Sequence, residues 1–292
     1  MSNGQALRGR LVVSNFPNHG LQLRPINPRL DEVRIHLATM SLRGRVVLDR
    51  LHRTIGGIIK FPVPPYGQPE YWESCYRSLG PESVVEWGSV GYADVATHEY
   101  QCLDPKGTIQ GSKQSSTLEE TLCVQPESEG DQPILLLGCG NSRLGEDLLD
   151  HQWKGPILQV DISERAIQAL TIRCEKWMQN GDMNLIQDDA TTLSNIPDGS
   201  VHGVLDKGLI DALYCAREFD QCMEILQAVH RVLLPGGVFG FFSFSRPQYL
   251  LDSLPPIPTK NWSEQDCRLL PSILLYRFVK TPRPQKIQWK KK

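Results

Sequence analysis

The residues best placed to do chemistry are an apolar run that ends in two glycines and an acid that follows about one strand later. Ile134-Leu135-Leu136-Leu137 leads into Gly138-Cys139-Gly140-Asn141-Ser142, and a second apolar run ends at Val160-Asp161. An uninterrupted aliphatic run is the pattern of a parallel strand buried on both faces. Glycines at its end allow a tight turn and bring bare backbone against a ligand. An acid about 20 residues further on, at the tip of the next strand, can accept hydrogen bonds from two ribose hydroxyls. Together these features describe a nucleoside held over the carboxyl ends of a sheet.

What is missing narrows the nucleoside. A dinucleotide fingerprint requires a third glycine so that the helix can cradle a pyrophosphate, and that position is Arg143. No Walker lysine follows. A glycine turn and a ribose acid without a pyrophosphate cradle suit S-adenosylmethionine. Two further acids recur after apolar segments, Asp189 and Asp206. All strand ends in a parallel sheet share one edge, so three acids there are stronger evidence than one. In this reading Asp161 takes the ribose, and Asp189 with the Ala190 backbone reads the adenine edge. Asp206-Lys207 faces the methionine end, with Asp206 the candidate for orienting an incoming amine and Asp211 a weaker one. Either acid could instead hold a loop amide. Trp72 and Tyr76 are four apart on one helical face, where they either stack on the ligand or pack in the core. Glu86-Trp87 poses the same choice between lid and core.

Elements must position these groups, and the chain alternates regularly between them. Strands are expected at 134–138, 157–161, 183–187, 201–205, 238–244 and 273–279. Helices are expected at 70–78, 142–152, 163–178 and 217–233. The fold class is therefore α/β, a doubly wound and mainly parallel sheet. Residues 101–132 are rich in Gly, Ser, Gln, Glu and Pro and are expected to form a mobile insertion. Phe61-Pro62-Val63-Pro64-Pro65 is a stiff break, placing the start of the main domain near Tyr66.

Composition excludes several classes. The net charge of −2 over 292 residues argues for no particular partner, nucleic acid being an unfavoured one, and no apolar run approaches the ~20 residues of a membrane span. The eight cysteines include no C-x-x-C pair, which suits reduced thiols rather than disulfides, and the histidines form no metal-ligand cluster with them. Residues 1–60 carry ten Lys/Arg against three Asp/Glu. They form a basic extension, with an amphipathic pattern at 43–60. The compartment expected is cytoplasmic, the alternative being an organelle such as the mitochondrion reached through this basic leader. Residues 281–292 form a basic tail.

The motifs resemble those of the seven-strand class I methyltransferases that modify lysines of elongation factor 1A, and of the citrate synthase lysine methyltransferase. Leu137 to Ser142 matches their Leu-Gly-Cys-Gly-Asn-Ser. Asp206-Lys207-Gly208-Leu209-Ile210-Asp211-Ala212 is similar to their Asp/Glu-Lys-Gly segment. Tyr71-Trp72-Glu73-Ser74-Cys75-Tyr76, Glu86-Trp87 and Arg231 to Gly237 complete the likeness over roughly 66–280. It implies cofactor contacts at Trp72, Tyr76, Trp87, Gly138, Asp161, Ile162, Asp189, Ala190 and Lys207, to which the turn itself adds Cys139, Gly140 and Asn141. It also implies a protein substrate with a target lysine, of elongation factor 1A or citrate synthase type. Gly88 stands where the family usually has an aromatic, and 245–272 follows the family poorly. A small-molecule methyltransferase and a non-catalytic cofactor-binding module remain as alternatives.

Overall fold

The computed structural model describes residues 63–282 apart from 78, 123–132, 154 and 254–260. The basic extension, its 43–60 pattern and almost all of the 281–292 tail lie outside the described residues.

The centre of the molecule is built from the aliphatic runs. β3 (Ile134–Leu137) is buried at every position, and β4 (Ile157–Asp161) and β6 (Val201–Lys207) nearly so. Such strands can be covered only by helices on both faces. Even-numbered and odd-numbered side chains of β3 accordingly fall into two separate cores. Leu135 and Leu137 join Val160, Val204 and Phe239 on one side, and Ile134 and Leu136 join Leu170, Leu205 and Phe242 on the other.

β4 and β6 pair in parallel with β3 from opposite sides, and β5 (Met183–Gln187) and β7 (Leu233–Ser243) extend the parallel half. The register places Leu137 opposite both Val160 and Asp206, and Asp161 opposite Gln187. The tips of β3, β4, β5 and β6 therefore share one edge. The strand order reverses at β3, which opens a crevice outside that edge.

The sheet has nine strands among the described residues, in the order β2-β1-β8-β9-β7-β6-β3-β4-β5, where the resemblance to seven-strand methyltransferases implies seven. Two of the strands, β2 and the end of β1, fall in the segment expected to be a mobile insertion. Thr97–Leu103 (β1) and Ile109–Thr117 (β2) form an antiparallel hairpin, and β1 docks on β8 (Trp262–Leu269). β2 is polar and exposed along most of its length, so it carries no period-2 apolar signal. β9 (Leu274–Lys280) joins this antiparallel half to β7. Its Tyr276 ring stacks on Phe241 at 4.7 Å.

The helices are α1 (Pro69–Arg77), α2 (Tyr92–Val95), α3 (Leu118–Leu122), α4 (Leu144–Asp150), α5 (Glu164–Arg173), α6 (Glu175–Gln179), α7 (Leu209–Ala216), α8 (Phe219–Val232) and α9 (Pro247–Ser253). The single helix expected over 163–178 breaks at Cys174 (φ −100°, ψ 13°). α7 is separate from α8 because Arg217 adopts a left-handed conformation (φ 65°). Pro235-Gly236-Gly237, expected to precede the strand, bulges out of β7: the register with β6 jumps from Val201–Leu233 to Gly203–Val238.

Candidate active site

A cleft of about 1150 Å³, including its open mouth, lies at the shared strand edge. Its floor is the glycine turn. Gly138 and Gly140 have φ of 57° and 54°, a region that L side chains seldom adopt. Space as well as torsion demands glycine here, because a Cβ on Gly140 would lie 2.5 Å from the Tyr76 hydroxyl.

Asp161 stands at the tip of β4 and is 7 % exposed. One carboxylate oxygen accepts from Gly140 N at 2.7 Å and the other from Ser163 N at 2.9 Å. Burial pushes its pKa up, while those two amides hold it down. Each oxygen keeps a second lone pair. At the tip of β5, Asp188 and Asp189 line the cleft with Ala190 and Thr191. Asp188 is buried and ties its own loop, accepting from Asn195 N at 2.7 Å and Asp189 N at 2.8 Å. Asp189 is exposed and accepts from Thr191 N at 2.8 Å.

The wall opposite the turn is aromatic. Tyr66 stacks on Trp72 (5.6 Å, 24°), Trp72 on Tyr76 (6.3 Å, 22°), and Tyr66 meets Trp87 edge-on at 5.9 Å. Trp72 Nε1 donates to the Tyr66 carbonyl at 2.8 Å. Burial raises the Tyr76 phenol well above its usual pKa, so it stays neutral.

Asp206-Lys207-Gly208 assembles this wall. Asp206 accepts from Leu209 N (2.7 Å) and Ile210 N (2.9 Å) and so caps α7. Lys207 pairs with Glu86, which also accepts from Ser142 Oγ (2.8 Å) and Arg143 N (3.0 Å). Gly208 has φ 114°, and a Cβ there would lie 2.4 Å from the Trp87 ring. The position of Gly88 has a similar logic. Its missing side chain leaves room for Phe244, whose ring would be 2.2 Å from a Cβ at 88. An aromatic ring therefore covers this part of the lid, but it comes from the end of β7.

Of the residues singled out from sequence, Trp72, Tyr76, Trp87, Gly138, Cys139, Gly140, Asp161, Ile162, Asp189, Ala190 and Lys207 all line the cleft. Three do not. Asn141 turns away and holds the segment before Trp87, accepting from Val85 N at 3.1 Å and donating to Ser83 O at 2.8 Å. Asp206 is fully buried as a helix cap, and burial raises its pKa to about 7. Asp211 is 3 % exposed; it accepts from Phe244 N at 2.9 Å and from Ser243 Oγ, with a long 3.5 Å contact to Trp87 Nε1. Neither acid is placed to orient an amine in the cleft, which corrects that expectation. Sequence reasoning placed Tyr66 at a domain boundary and passed over Gln68, Asp188 and Gln221, all of which line the cleft. The spacing Asp206-x-x-Leu209 ahead of an apolar helix is itself a capping signal.

No group of three potential metal ligands occurs among the described residues, and no helix among them is long and apolar enough to cross a membrane. Cys139 lies in the turn with its thiol pushed well above the usual value by burial and then by Asp161. Cys215 is exposed, unlike the other thiols among the described residues.

Residues 134–237, the turn and the three parallel-strand tips around it, match the family model for a methyltransferase domain. This stretch is similar to methyltransferase domains. The chain that carries it is 26 % identical over 200 residues to the eEF1A lysine and N-terminal methyltransferase of Mus musculus, covering 68 % of this chain and 24 % of that protein. It thus spans about a quarter of that relative. It is also 26 % identical over 193 residues to the EEF1A lysine methyltransferase 4 of Mus musculus, covering 63 % of this chain and 64 % of that protein. A SAM-dependent methyltransferase from Methanosarcina mazei superposes with a TM-score of 0.41 at 16 % identity, over 52 % of this chain and 94 % of that one. The matched stretch begins at β3 and ends in the Pro-Gly-Gly bulge of β7, so the aromatic wall is contributed from outside it.

Proposed function

We propose that this chain is an S-adenosylmethionine-dependent methyltransferase that modifies a lysine side chain of a protein. The observation that carries the reading is the convergence of the bare Gly138–Gly140 turn, the buried Asp161 carboxylate and the Trp72–Tyr76 stack on one cleft.

The residues fit such a cofactor. Asp161 has lone pairs left for two ribose hydroxyls, and the turn offers backbone without side chains. Asp189 and Ala190 border the adenine end, while Lys207 and Trp87 border the methionine end. Aromatic faces attract a sulfonium by cation–π interaction, on the order of 0.5–2 kcal/mol. When bound, the cofactor supplies an electrophilic methyl group to a neutral nucleophile.

An unperturbed lysine has a pKa near ~10.4, so about one amine in a few thousand is uncharged at pH 7. The acids that line the cleft, Asp161, Asp188 and Asp189, all sit at the β4 and β5 tips. The β6 side is walled by Tyr66, Trp87, Leu209, Leu213 and Ile225. An apolar wall disfavours the ammonium form and pulls an amine toward neutrality. In this reading the chain activates its nucleophile by desolvation and positioning, without a dedicated general base. The similarity to eEF1A lysine methyltransferases supports a lysine on elongation factor 1A as the first substrate to try.

Titration calorimetry with S-adenosylmethionine, beside NAD and an Asp161→Ala variant, tests the cofactor. Saturable binding that the variant loses is expected; NAD binding instead would sink the proposal. Transfer of labelled methyl from the cofactor to elongation factor 1A or citrate synthase, followed by mapping of the modified residue, tests the substrate. Label appearing only in a small metabolite would replace the lysine assignment.

A further inference from the structure

The roof of the cleft reaches the glycine turn through a side chain that touches neither ligand space nor solvent. Arg173, the last residue of α5, has a side chain only 7 % exposed and is absent from the cleft lining. Its Nε donates to Glu146 Oε2 at 2.8 Å, and Nη2 pairs with the same carboxylate at 2.7 Å. Nη2 also donates to the carbonyls of Asn141 (3.1 Å) and Ser142 (2.8 Å), at the exit of the glycine turn. Nη1 donates to the carbonyls of Pro81 and Ser83, each at 3.3 Å, on the segment that leads to Trp87.

We infer that Arg173 is a positioning residue that fixes the roof segment 81–87 against the glycine turn before any ligand arrives. The inference rests on the proposed cofactor reading for its functional consequence, though not for its geometry. Four carbonyls and one carboxylate around a single point match the planar five-donor fork of a guanidinium; an ammonium has three donors and cannot span them. Asn141 completes the tie from the turn side through Ser83 and Val85. Beyond it, Glu86 is held by Ser142, Arg143 and Lys207. The roof is thus pinned at four successive places, a preorganised wall whose ordering cost is met during folding and not during binding.

The test uses the full chain with Arg173→Lys and Asn141→Ala. Arg173→Lys keeps a cation beside Glu146 and removes the fork; Asn141→Ala loosens the same segment without stranding a buried charge. Hydrogen exchange of the ligand-free proteins should show the 83–89 amides exchanging at least tenfold faster in both variants, with the β9 amides unchanged. Calorimetry should show S-adenosylmethionine binding weakened 10- to 100-fold. Roof protection and affinity within twofold of the parent would overturn the inference. If Arg173→Lys fails to fold, Asn141→Ala decides by the same two readouts. If the parent binds no S-adenosylmethionine, the proposed function fails, and the clamp still stands or falls on the exchange data.

Discussion

Lys207 at the end of β6 and Glu86 just before Trp87 form an ion pair across 121 residues of chain, with side chains 6 % and 19 % exposed. The pair joins the parallel sheet to the aromatic wall. Removing one partner of a largely buried pair leaves the other uncompensated, at a cost of about 3 kcal/mol. Lys207→Met and Glu86→Gln should each destabilise the protein by roughly that amount, whereas the double variant should lose clearly less than the sum. Urea unfolding of all four proteins checks this, and strict additivity would show that the two residues are not coupled.

Gly208 is expected to tolerate no side chain. Its φ of 114° and the Trp87 ring 2.4 Å from any added Cβ act together. Gly208→Ala should cost about 2 kcal/mol in strain and displacement and weaken cofactor binding. Gly199→Ala is the matched control, since its φ is also positive at 56° while its nearest neighbour lies 3.9 Å away. It should cost less and leave binding untouched. Equal effects on binding would mean that the Trp87 contact is irrelevant.

Asp161→Asn keeps the size of the side chain but can accept only one of the two backbone amides now bound, and it removes the charge. Hydrogen bonds to a charged group contribute about 1.5–3 kcal/mol, so cofactor affinity should fall by about 10- to 150-fold. Calorimetry at pH 7.5 measures it. Unchanged affinity would move the ribose contact elsewhere on the strand edge.

The buried Asp206 should leave a signature in stability against pH. Its folded pKa is raised to about 7 from 3.8, so between those values the folded state holds a proton that the unfolded chain has lost. Its contribution is fully present below about pH 4 and is lost as pH rises through about 7. In Asp206→Asn that dependence disappears. The stability difference between parent and variant should shift in the variant's favour from pH 4 to 7, by at most about 1.4 kcal/mol per pH unit, and then level off. A flat difference would mean that Asp206 is ionised throughout.

The parallel half of the fold was legible because its chemistry is redundant. Ile134 to Leu137 can hardly be anything but a doubly covered strand, and the glycines and Asp161 follow from that placement. The β1–β2 hairpin was not legible, since a polar edge strand such as Ile109–Thr117 buries little and owes its shape to the neighbour it pairs with. Position alone puts Asp206 at the ligand edge and leaves its role open, because an acid after a strand looks the same whether it faces a ligand or caps the next helix. Arg173 gave no signal at all. An arginine ending an amphipathic helix is ordinary, and only the fold brings four carbonyls to it.

The strand order also constrains how the chain assembles during synthesis. β1 leaves the ribosome early, yet Gln101, Cys102 and Leu103 pair with Leu269, Arg268 and Cys267 of β8. The parallel core from β3 to β7 must be made between these two events. Until β8 and β9 emerge, the hairpin has no docking partner and the outer edge of β7 is open. That interval exposes unpaired strand edges to neighbouring chains. Replacing apolar residues of the late strands β8 and β9 should therefore harm the yield of folded protein more than equal losses of stability elsewhere.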